Sequence, residues 1–529
     1  MSGHANDDTA PSLLTLKPLY TNALRKYRER VAVVHDGDTL TYGQLLQASC
    51  RVAHALIDAG VTANVRVGLL MSNCLAYAVA DQAIIQSGGA KVPLNDMLGE
   101  KEIRYIVADS NARVLIVGPA FFDIVARNRG EWPELQTIVG VAPRDECPVG
   151  FVCWDDFAEG AADTPPDVLP APDDLALIAY TGGTTGRPKG VMHTQQGTVL
   201  NLWSHVIEME LLDDERLLLS SPLPHSAGFL LLAGLLKGAT HFVERGFDPA
   251  TVVRRIENDR VTLTFMVPTM IYRLIDWIGS QTPDLSSLRT IIYGAAPITV
   301  PRLRQGLDLF GPVFMQLYGQ SEAVNFITRL RRQDHRPDGD TAHRLASCGQ
   351  PVAMSEVRIV DAQGDALPAG EIGELTARTP YTMRGYHGLP EKTAETLVHD
   401  WLHTGDIAYQ DDDGYVYLLD RKNDMIISGG MNVYTKEVED AIQSCPGVSQ
   451  VAVVGLPHAD WGEAVSAFIV AADGAQLTET QVLDHCRGEL SRYKQPKNVQ
   501  FVDALPVTAY GKLDKKALRL QAAPGENAP

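Results

Sequence analysis

The stretch LALIAYTGGTTGRPKG, residues 175–190, joins a strand-like apolar run to a segment rich in glycine and threonine. Glycines let a backbone turn sharply with its N–H groups exposed, threonine hydroxyls add donors, and Arg187 and Lys189 add positive charge. Pro188 separates the two cations, so the segment lacks the Gly-Lys-Ser/Thr succession of a Walker loop. The stretch predicts a strand that runs into a polyphosphate-binding loop, and a flexible surface loop is the alternative.

Around this stretch the apolar pattern alternates between strand and helix. Residues 45–56 show helical spacing that stops at Gly60, and 65–71 then have the pattern of a buried strand. Residues 72–90 predict a helix that begins at a Ser or Asn cap and ends at a glycine. The rhythm resumes at 261–267 and 288–294, so the sequence predicts α/β layers with helices on both faces of mainly parallel sheets.

The pattern changes at about residue 350. Short β runs joined by turn residues predict a small β subdomain over about 351–421. A compact helix, strand, strand, helix, strand, helix pattern follows and predicts a separate α+β lobe over 422–520. The tail, 521–529, is predicted to be disordered. Residues 1–421 would then form the N-terminal body.

Composition excludes several classes of protein. The 529 residues hold 46 Lys and Arg against 65 Asp and Glu, a net charge of −19, which argues against non-specific binding to nucleic acid or to an anionic membrane. Seven cysteines without a Cys-x-x-Cys pair indicate neither a disulfide framework nor a zinc site, and a reducing cytoplasm fits best. The longest apolar run, 227–236, is short of the ~20 residues of a membrane helix, so we expect neither export nor a membrane span.

The segment QLYGQSEA, residues 316–323, places an aromatic ring, a glycine, a hydroxyl and a carboxylate close together. Tyr318 could cover a base, Gly319 permits close approach, and Ser321 can donate to a phosphoryl oxygen. Glu322 is a hard oxygen ligand that suits Mg²⁺. A helix cap beside a turn is the alternative for this segment.

Two later segments also carry charged candidates. Asp406 follows a glycine where a strand is expected to begin and could accept from two ribose hydroxyls, with Arg421 nearby. The alternative is a surface ion pair, worth only ~0–1 kcal/mol. In PVTAYGKLDKKALR, residues 506–519, Lys512 follows a glycine and lies outside the pattern of the helix after it.

In this order the four segments resemble the adenylate-forming superfamily, which comprises acyl-CoA synthetases, adenylation domains of peptide synthetases and firefly-type luciferases. The resemblance runs from about residue 40 to 520. It implies a large α/β N-terminal domain, made of two stacked α/β layers and a small β subdomain, with a smaller, mobile α+β C-terminal domain. Asn423 matches the hinge position, where the family usually has Asp or Lys.

The resemblance also implies the role of each residue. Thr181 to Lys189 would hold the β- and γ-phosphates, Glu322 would ligate Mg²⁺, and Lys512 would bridge the substrate carboxylate and the α-phosphate. Tyr318 would flank adenine, and Asp406 would bind the ribose with help from Arg421. The implied catalytic residues are Lys512, Ser321, Glu322 and His225. The implied ATP site comprises Thr181, Gly182, Gly183, Thr184, Thr185, Gly186, Lys189, Tyr318, Gly319, Gln320, Ser321, Asp406, Arg421 and Lys512.

The second ligand implied by the resemblance is coenzyme A. Gly429 and Gly430 would let the pantetheine arm pass, and Trp461 would pack on it, although a tryptophan of a satellite core is the alternative for Trp461. The implied acyl pocket comprises His225, Phe229, Tyr293, Gly294, Ala295, Leu317 and Val324. His225 would gate this pocket, unless it is a neutral capped histidine. Gly294 and the alanines after it would leave room for a bulky, apolar acyl group.

We therefore expect a Mg-ATP-dependent acid:CoA ligase that acts on an aromatic, medium- to long-chain fatty, or polycyclic acid. The implied cofactors are ATP, Mg²⁺ and coenzyme A, and a homodimer is one possible assembly. An enzyme that stops at the acyl-adenylate, or hands the acyl group to a carrier protein, is the alternative. An unrelated ATPase or kinase would release ADP instead of AMP. A silent nucleotide-binding protein would not need Lys189, Glu322 and Lys512 together.

Overall fold

The computed structural model describes residues 13–181, 187–472, 474–507 and 513–522. The α-helices in these ranges are α1 (Leu16–Lys26), α2 (Tyr42–Asp58), α3 (Leu75–Ser87), α4 (Glu100–Asp109), α5 (Phe122–Asn128), α6 (Trp154–Phe157), α7 (Gln195–Glu208), α8 (Gly228–Lys237), α9 (Pro249–Asp259), α10 (Pro268–Ile278), α11 (Val300–Phe310), α12 (Pro390–Thr396), α13 (Thr435–Gln443), α14 (Glu479–Glu489) and α15 (Lys515–Ala522). None of these helices combines the length and the apolar character needed to cross a membrane.

The strands of the same ranges are β1 (Val31–His35), β2 (Asp38–Thr41), β3 (Arg66–Leu70), β4 (Ala90–Leu94), β5 (Val114–Val117), β6 (Thr137–Gly140), β7 (Val152–Cys153), β8 (Leu175–Tyr180), β9 (Gly190–Thr194), β10 (Arg216–Leu219), β11 (Thr240–Val243), β12 (Leu263–Met266), β13 (Thr290–Tyr293), β14 (Phe314–Gln320), β15 (Ala323–Leu330), β16 (Gln350–Pro351), β17 (Glu356–Val360), β18 (Gly373–Arg378), β19 (Gly385–Tyr386), β20 (Leu397–Val398), β21 (Trp401–Gln410), β22 (Val416–Arg421), β23 (Ile426–Ser428), β24 (Met431–Val433), β25 (Val448–His458), β26 (Gly462–Ala471) and β27 (Asn498–Phe501).

Two large sheets form the body. Within the described residues, one has nine strands in the order β16-β15-β14-β13-β12-β10-β11-β1-β2, and the other has eight in the order β19-β9-β8-β4-β3-β5-β6-β7. The central pairs of both sheets are parallel, as β12 with β13 and β3 with β4 illustrate. Parallel strands need crossover connections, and the intervening helices supply them.

The core is divided among the layers. Side chains from both sheets and from α1, α2, α3, α7 and α8 form one apolar cluster between the sheets. The outer face of the eight-stranded sheet is covered by α4 and α5, and that of the nine-stranded sheet by α9, α10 and α11. Both faces of each sheet are therefore buried, and the predicted pair of stacked α/β layers is confirmed.

The predicted β subdomain and C-terminal lobe are also present. Strands β17, β18, β20, β21 and β22 form a five-stranded sheet with its own apolar cluster. Strands β23 to β27 form a second such sheet, with α13 and α14 packed on one face and α15 on the other. Strand β19 departs from the expected division, because it pairs with β9 at the edge of the eight-stranded sheet.

Three local predictions are corrected by the structure. Cys74 occupies the N-cap of α3 without a side-chain hydrogen bond, and the side chain of Asn73 donates instead to the carbonyl oxygens of Ser221 and Glu244. Asp406 lies in the middle of β21 and not at its start. The tail was predicted to begin at residue 521, but α15 continues to residue 522. Residues 523–529 lie outside the described ranges.

The first helix of the lobe takes its N-terminal cap from the body. The carboxylate of Asp420, in β22, accepts from the backbone N–H of Thr435 at 2.6 Å. Lys515 Nζ, from α15, donates to Thr435 Oγ1 at 2.5 Å and pairs with Glu439 at 2.9 Å. The N-terminus of α13 thus joins the last strand of the β subdomain to the last helix of the lobe.

Candidate active site

The two ends of the predicted phosphate loop are held together by neighbouring strands. Strands β8 and β9 are antiparallel, with Tyr180 opposite Gly190, and the N–H of Thr181 donates to the carbonyl oxygen of Lys189 at 3.0 Å. The predicted strand before the loop is confirmed as β8. Gly182, Gly183, Thr184, Thr185 and Gly186 lie outside the described residues.

Lys189 and Glu322 each contact the same tyrosine, Tyr386. The ammonium of Lys189 lies 4.2 Å from the centroid of the Tyr386 ring, and the Tyr386 hydroxyl donates to Glu322 Oε1 at 2.6 Å. Burial lowers the pKa of Lys189 from its ordinary value, while the nearby Glu322 carboxylate acts in the opposite direction. A cation, an aromatic ring and a carboxylate thus form a continuous group at the foot of the phosphate loop.

Asp406 is the acceptor for three side chains. Its Oδ2 accepts from the hydroxyl of Tyr318 at 2.5 Å and from the amide of Gln320 at 2.8 Å, and its Oδ1 pairs with Arg421 at 2.6 Å. Asp406 is only 5% exposed, whereas the side chain of Arg421 is 54% exposed, so the ion pair considered from the sequence is present and joins a buried carboxylate to a guanidinium at the surface. A carboxylate has about four acceptor positions, which leaves room for a ribose hydroxyl.

The turn between β14 and β15 connects these two clusters. Gln320 contacts Asp406, and Glu322, two residues later, contacts Tyr386. Gly319 is required here, because a Cβ at this position would lie 2.6 Å from the backbone N of Asn325. The carbonyl of Ser321 is held by His193 Nε2 at 2.8 Å. The structure therefore brings together the Tyr-Gly-Gln-Ser-Glu segment, Lys189, Asp406 and Arg421.

Tyr318 occupies a more enclosed position than a base-stacking role requires. Its side chain is part of the apolar cluster of the β subdomain, and it is only 9% exposed. Its hydroxyl is fixed by Asp406. Contact with adenine through the exposed edge of this ring stays a prediction.

The residues around Glu322 fit a magnesium ion that is held mainly by its nucleotide. Mg²⁺ in such sites takes one or two protein carboxylates, and substrate phosphates and water supply the remaining ligands. Among the described residues, no group of three or more His, Cys, Asp or Glu side chains could hold a metal by itself. Glu322 is only partly buried, and its carboxylate lies beside the foot of the phosphate loop.

The predicted acyl wall is built on a buried histidine. The ring of Phe229 stacks on that of His205 with centroids 5.6 Å apart and planes 19° from parallel. His205 Nε2 is 2.8 Å from the amide of Asn325, and Asn201 donates to the carbonyl of Val324 at 2.9 Å. Burial lowers the pKa of His205 to about 4, so the ring is neutral near pH 7. The predicted wall residues Phe229 and Val324 are thus linked through α7.

Two expectations for this wall fail. Tyr293 packs in the cluster on the outer face of the nine-stranded sheet, where its hydroxyl is 3.0 Å from His335 Nε2, whereas Leu317 lies in the cluster between the sheets. The missing side chain of Gly294 does not free space for an acyl group, because Leu317 fills that position: a Cβ there would lie 2.4 Å from the carbonyl oxygen of Leu317. Ala295 is exposed and has a left-handed φ of 65°.

His225 lies at a kink in the turn Leu223–Ala227 that precedes α8, where its backbone is not helical (φ −117°, ψ −148°). Its Nε2 is 2.9 Å from the side-chain amide of Asn95, which follows β4 in the other sheet. The histidine predicted to gate the acyl pocket therefore lies at the junction of the two sheets. Its gating role stays a prediction.

The residues predicted to bind coenzyme A meet in the lobe. Gly429, with φ +59°, donates its N–H to the carbonyl of Trp461 at 2.8 Å, and a Cβ on Gly429 would lie 2.9 Å from the indole ring. Trp461 is 41% exposed, which excludes the satellite-core alternative. Gly430 is exposed as well, and Asn423 is exposed between β22 and β23. Lys512 lies outside the described residues.

Several residues in these clusters escaped the sequence analysis, among them Tyr386, His205 and Asn95. Tyr386 lies in RGYHG, residues 384–388, between two glycines. The segment 316–323 also has a tyrosine beside a glycine, so this similarity could have indicated Tyr386 as a candidate. Asn95 directly follows β4, and the carboxyl end of a parallel strand is a common position for ligand-binding groups. His205 has no such signal, because it is one buried residue on an apolar helix.

Comparison with known families gives matches over most of the chain. Residues 20–387 match the AMP-binding enzyme family, and residues 437–512 match the AMP-binding enzyme C-terminal domain.

Individual relatives cover nearly the full length. The chain is 39% identical over 490 residues to a feruloyl-CoA synthase from Amycolatopsis sp, covering 92% of this chain and 95% of the relative. It is 37% identical to the medium/long-chain-fatty-acid–CoA ligase FadD8 of Mycobacterium tuberculosis, covering 95% and 89%. The anthranilate CoA ligase AuaEII, solved with anthranoyl-AMP, superposes with a TM-score of 0.88 at 27% identity, covering 98% of this chain and 99% of that one.

Proposed function

The chain belongs to the AMP-binding enzyme family and is an AMP-forming acid:CoA ligase that uses ATP, Mg²⁺ and coenzyme A, and from this premise we propose that it activates an apolar, preferentially aromatic, carboxylic acid. Activation as the acyl-adenylate precedes transfer of the acyl group to the thiol of coenzyme A. The observation that carries the proposal is the segment 318–322, which comprises the end of β14 and the turn that follows it. It connects the Asp406 cluster, which suits a ribose, to the Lys189–Tyr386–Glu322 group, which suits phosphates.

In the first half-reaction a carboxylate oxygen of the acid attacks the α-phosphorus of ATP, and the bond to pyrophosphate breaks. The acid and the triphosphate repel each other, so cations must offset their charge. A cation at ~4 Å contributes about 4 kcal/mol at an effective dielectric near 20, and positioning can add ~7–11 kcal/mol. Lys189 and Lys512 are the proposed cations. Glu322 would hold Mg²⁺, which supplies charge neutralisation on the phosphates.

In the second half-reaction the thiol of coenzyme A attacks the acyl carbonyl and AMP leaves. We assign the thiol path to Gly429, Gly430 and Trp461, where two left-handed glycines lie beside an exposed indole. The lobe carrying them would begin at residue 422 and turn about Asn423. The seven cysteines are all free, in keeping with the proposed cytoplasmic location.

The aromatic preference rests on Phe229. Its ring is half-buried and has one face fixed by His205, which leaves an oriented aromatic surface for the acyl group. Aromatic pairs gain ~0.5–1.5 kcal/mol beyond the burial of their area. The feruloyl-CoA synthase relative supports an aryl acid, whereas the FadD8 relative supports a fatty acid as the second candidate.

A pyrophosphate-release screen tests the proposal. Aryl, fatty and polycyclic acids would each be incubated with Mg-ATP, with and without coenzyme A, and the nucleotide and thioester products separated by chromatography. We expect AMP, pyrophosphate and an acyl-CoA, with aryl acids giving the highest kcat/KM. Release of ADP and phosphate would contradict the proposed reaction, and an adenylate without thioester would favour transfer to a carrier protein.

A further inference from the structure

Tyr386 is the contact between two charged groups of the site. Its hydroxyl donates to Glu322 Oε1 at 2.6 Å, and its ring faces Lys189 Nζ at 4.2 Å from the centroid. The side chain is 4% exposed. One neutral residue therefore satisfies a carboxylate through its hydroxyl and a cation through its ring face.

The backbone fixes this tyrosine to the strand that leaves the phosphate loop. Tyr386 pairs with Val191 across the β19–β9 ladder, and the N–H of His387 donates to the carbonyl of Gly190 at 2.7 Å. The backbone N–H of Tyr386 donates to Thr393 Oγ1 at 2.9 Å. The backbone at the start of β9 and the backbone of Tyr386 are therefore fixed to each other.

The same segment also fixes Glu322. The backbone N–H of Met383 donates to the carbonyl of Glu322 at 2.7 Å. Residues 383–387 thus bind the main chain on both sides of the site, one contact at Glu322 and one at Gly190. Tyr386 adds the side-chain contact between them.

Lys189 and Glu322 do not pair directly. Their charged atoms, both in described residues, are not within the 4.0 Å of an ion pair, although the Glu322 carboxylate acts to raise the pKa of Lys189. A direct pair would neutralise the two groups that the nucleotide and its metal need.

We propose that Tyr386 is a positioning residue that keeps Lys189 and Glu322 apart and oriented, with the ammonium available to the phosphates and the carboxylate available to Mg²⁺. This rests on the proposed function, since it takes the ligand to be Mg-ATP. The hydroxyl orients the metal ligand, and the ring orients the cation. Loss of the hydroxyl and loss of the ring should therefore have different consequences.

Tyr386→Phe removes the hydroxyl and keeps the ring. ATP binding is measured by titration calorimetry without acid or coenzyme A, once in EDTA and once over a range of Mg²⁺ concentrations. We expect metal-free ATP binding to be unchanged and the Mg²⁺ concentration for half-maximal binding to rise about tenfold, the lower range for loss of a partner that orients a metal ligand. Tyr386→Leu removes both contacts and should weaken metal-free binding as well.

Tyr381→Phe is the matched control. Tyr381 is a buried tyrosine five residues away in the same segment, and its hydroxyl donates to the carbonyl of Phe326 at 2.6 Å without touching Lys189 or Glu322. This variant should leave both titrations unchanged. Thermal unfolding of each variant shows whether it is folded. Tyr386→Phe and Tyr386→Leu can be compared as long as both variants are folded.

A double-mutant cycle with Glu322→Gln tests the path of the effect. In the Glu322→Gln background, Tyr386→Phe should no longer change the Mg²⁺ requirement. An equal effect in both backgrounds, or a Tyr386→Phe variant that behaves like Tyr381→Phe, would overturn the proposal. Because the assay contains neither acid nor coenzyme A, such a failure leaves the proposed ligase reaction untouched. Conversely, if the product screen yielded no thioester, the conclusions from the ATP- and Mg²⁺-binding titrations would still hold.

Discussion

The body and the lobe present their site residues in different ways. In the body, Asp406 is 5% exposed and accepts from three side chains, and Glu322 and Lys189 share Tyr386. In the lobe, Trp461 is 41% exposed and the glycines beside it lie at the surface. The proposed nucleotide site is therefore assembled within the folded body, whereas the residues of the proposed thiol path lie exposed on the lobe.

This difference separates the two half-reactions. A buried, hydrogen-bonded carboxylate loses little freedom when a ligand arrives, so the body can be preorganised for ATP. An exposed tryptophan gains most of its contacts on binding. We therefore expect changes in the body to affect nucleotide binding and stability, and changes in the lobe to affect one half-reaction at a time.

The largest expected effect is the loss of stability of the body at acidic pH. Burial lowers the pKa of His205, His241 and His335 from 6.5 to about 4. Between these values the unfolded chain binds more protons than the folded one, so the free energy of unfolding falls as the pH drops from 6.5 towards 4. At pH 5 each of these histidines should lower the free energy of unfolding by about 2 kcal/mol, according to the linkage relation. Urea unfolding at pH 7 and pH 5 measures the loss.

A pair of variants assigns this loss to the body. His205→Gln should reduce the pH dependence of the unfolding free energy, whereas His458→Gln, at an exposed position of the lobe, should leave it unchanged. Equal pH dependence in both variants would contradict the assignment.

The next largest effect concerns Lys512. Lys512→Ala should slow adenylation about a thousandfold, the equivalent of ~4 kcal/mol for one cation beside the phosphates. Thioester formation from supplied acyl-AMP should be nearly unaffected, because the α-phosphate bond is already broken. Single-turnover measurements of each half-reaction check this. Lys516→Ala, on the exposed face of α15, is the control, and equal losses in both halves would refute the assigned role.

The smallest effect is expected from Trp461. Trp461→Ala should raise the KM for coenzyme A by about three- to tenfold, because each CH₂ group of the pantetheine arm that is buried against the indole contributes ~0.8 kcal/mol. The adenylation rate should not change. Trp203, on α7 of the body, is 40% exposed and provides a control of matched exposure. Saturation curves for coenzyme A that coincide for wild type and Trp461→Ala would remove this residue from the thiol path.

Much of the layered fold could be predicted from the sequence because apolar periodicity is local. The strand at 175–180, the helix that ends near Gly60 and the lobe pattern after 421 all follow from neighbouring residues. The cap of α3 could not be predicted, because the amide of Asn73 donates to the carbonyl oxygens of Ser221 and Glu244, which are 148 and 171 residues away. The same limit applies to β19, whose pairing partner lies in another subdomain.

The errors at the site have a similar origin. Tyr293 and Gly294 were both assigned to the pocket by the family resemblance, but side chains alternate along a strand, and Ile292 rather than Tyr293 faces the cluster between the sheets. Alternation alone would have corrected this. Tyr386 is separated from Glu322 by 64 residues, so only the tertiary structure could show that the tyrosine hydroxyl donates a hydrogen bond to the carboxylate.

The contact between Asp420 and Thr435 affects where the chain can be divided. A polypeptide that began at residue 422 would retain every strand of the C-terminal sheet, yet its first helix would start without the carboxylate that caps it. Loss of such a cap typically costs about 0.5–2 kcal/mol. A fragment intended to fold independently should therefore include β22, and swaps of this module between relatives should carry the strand along with it.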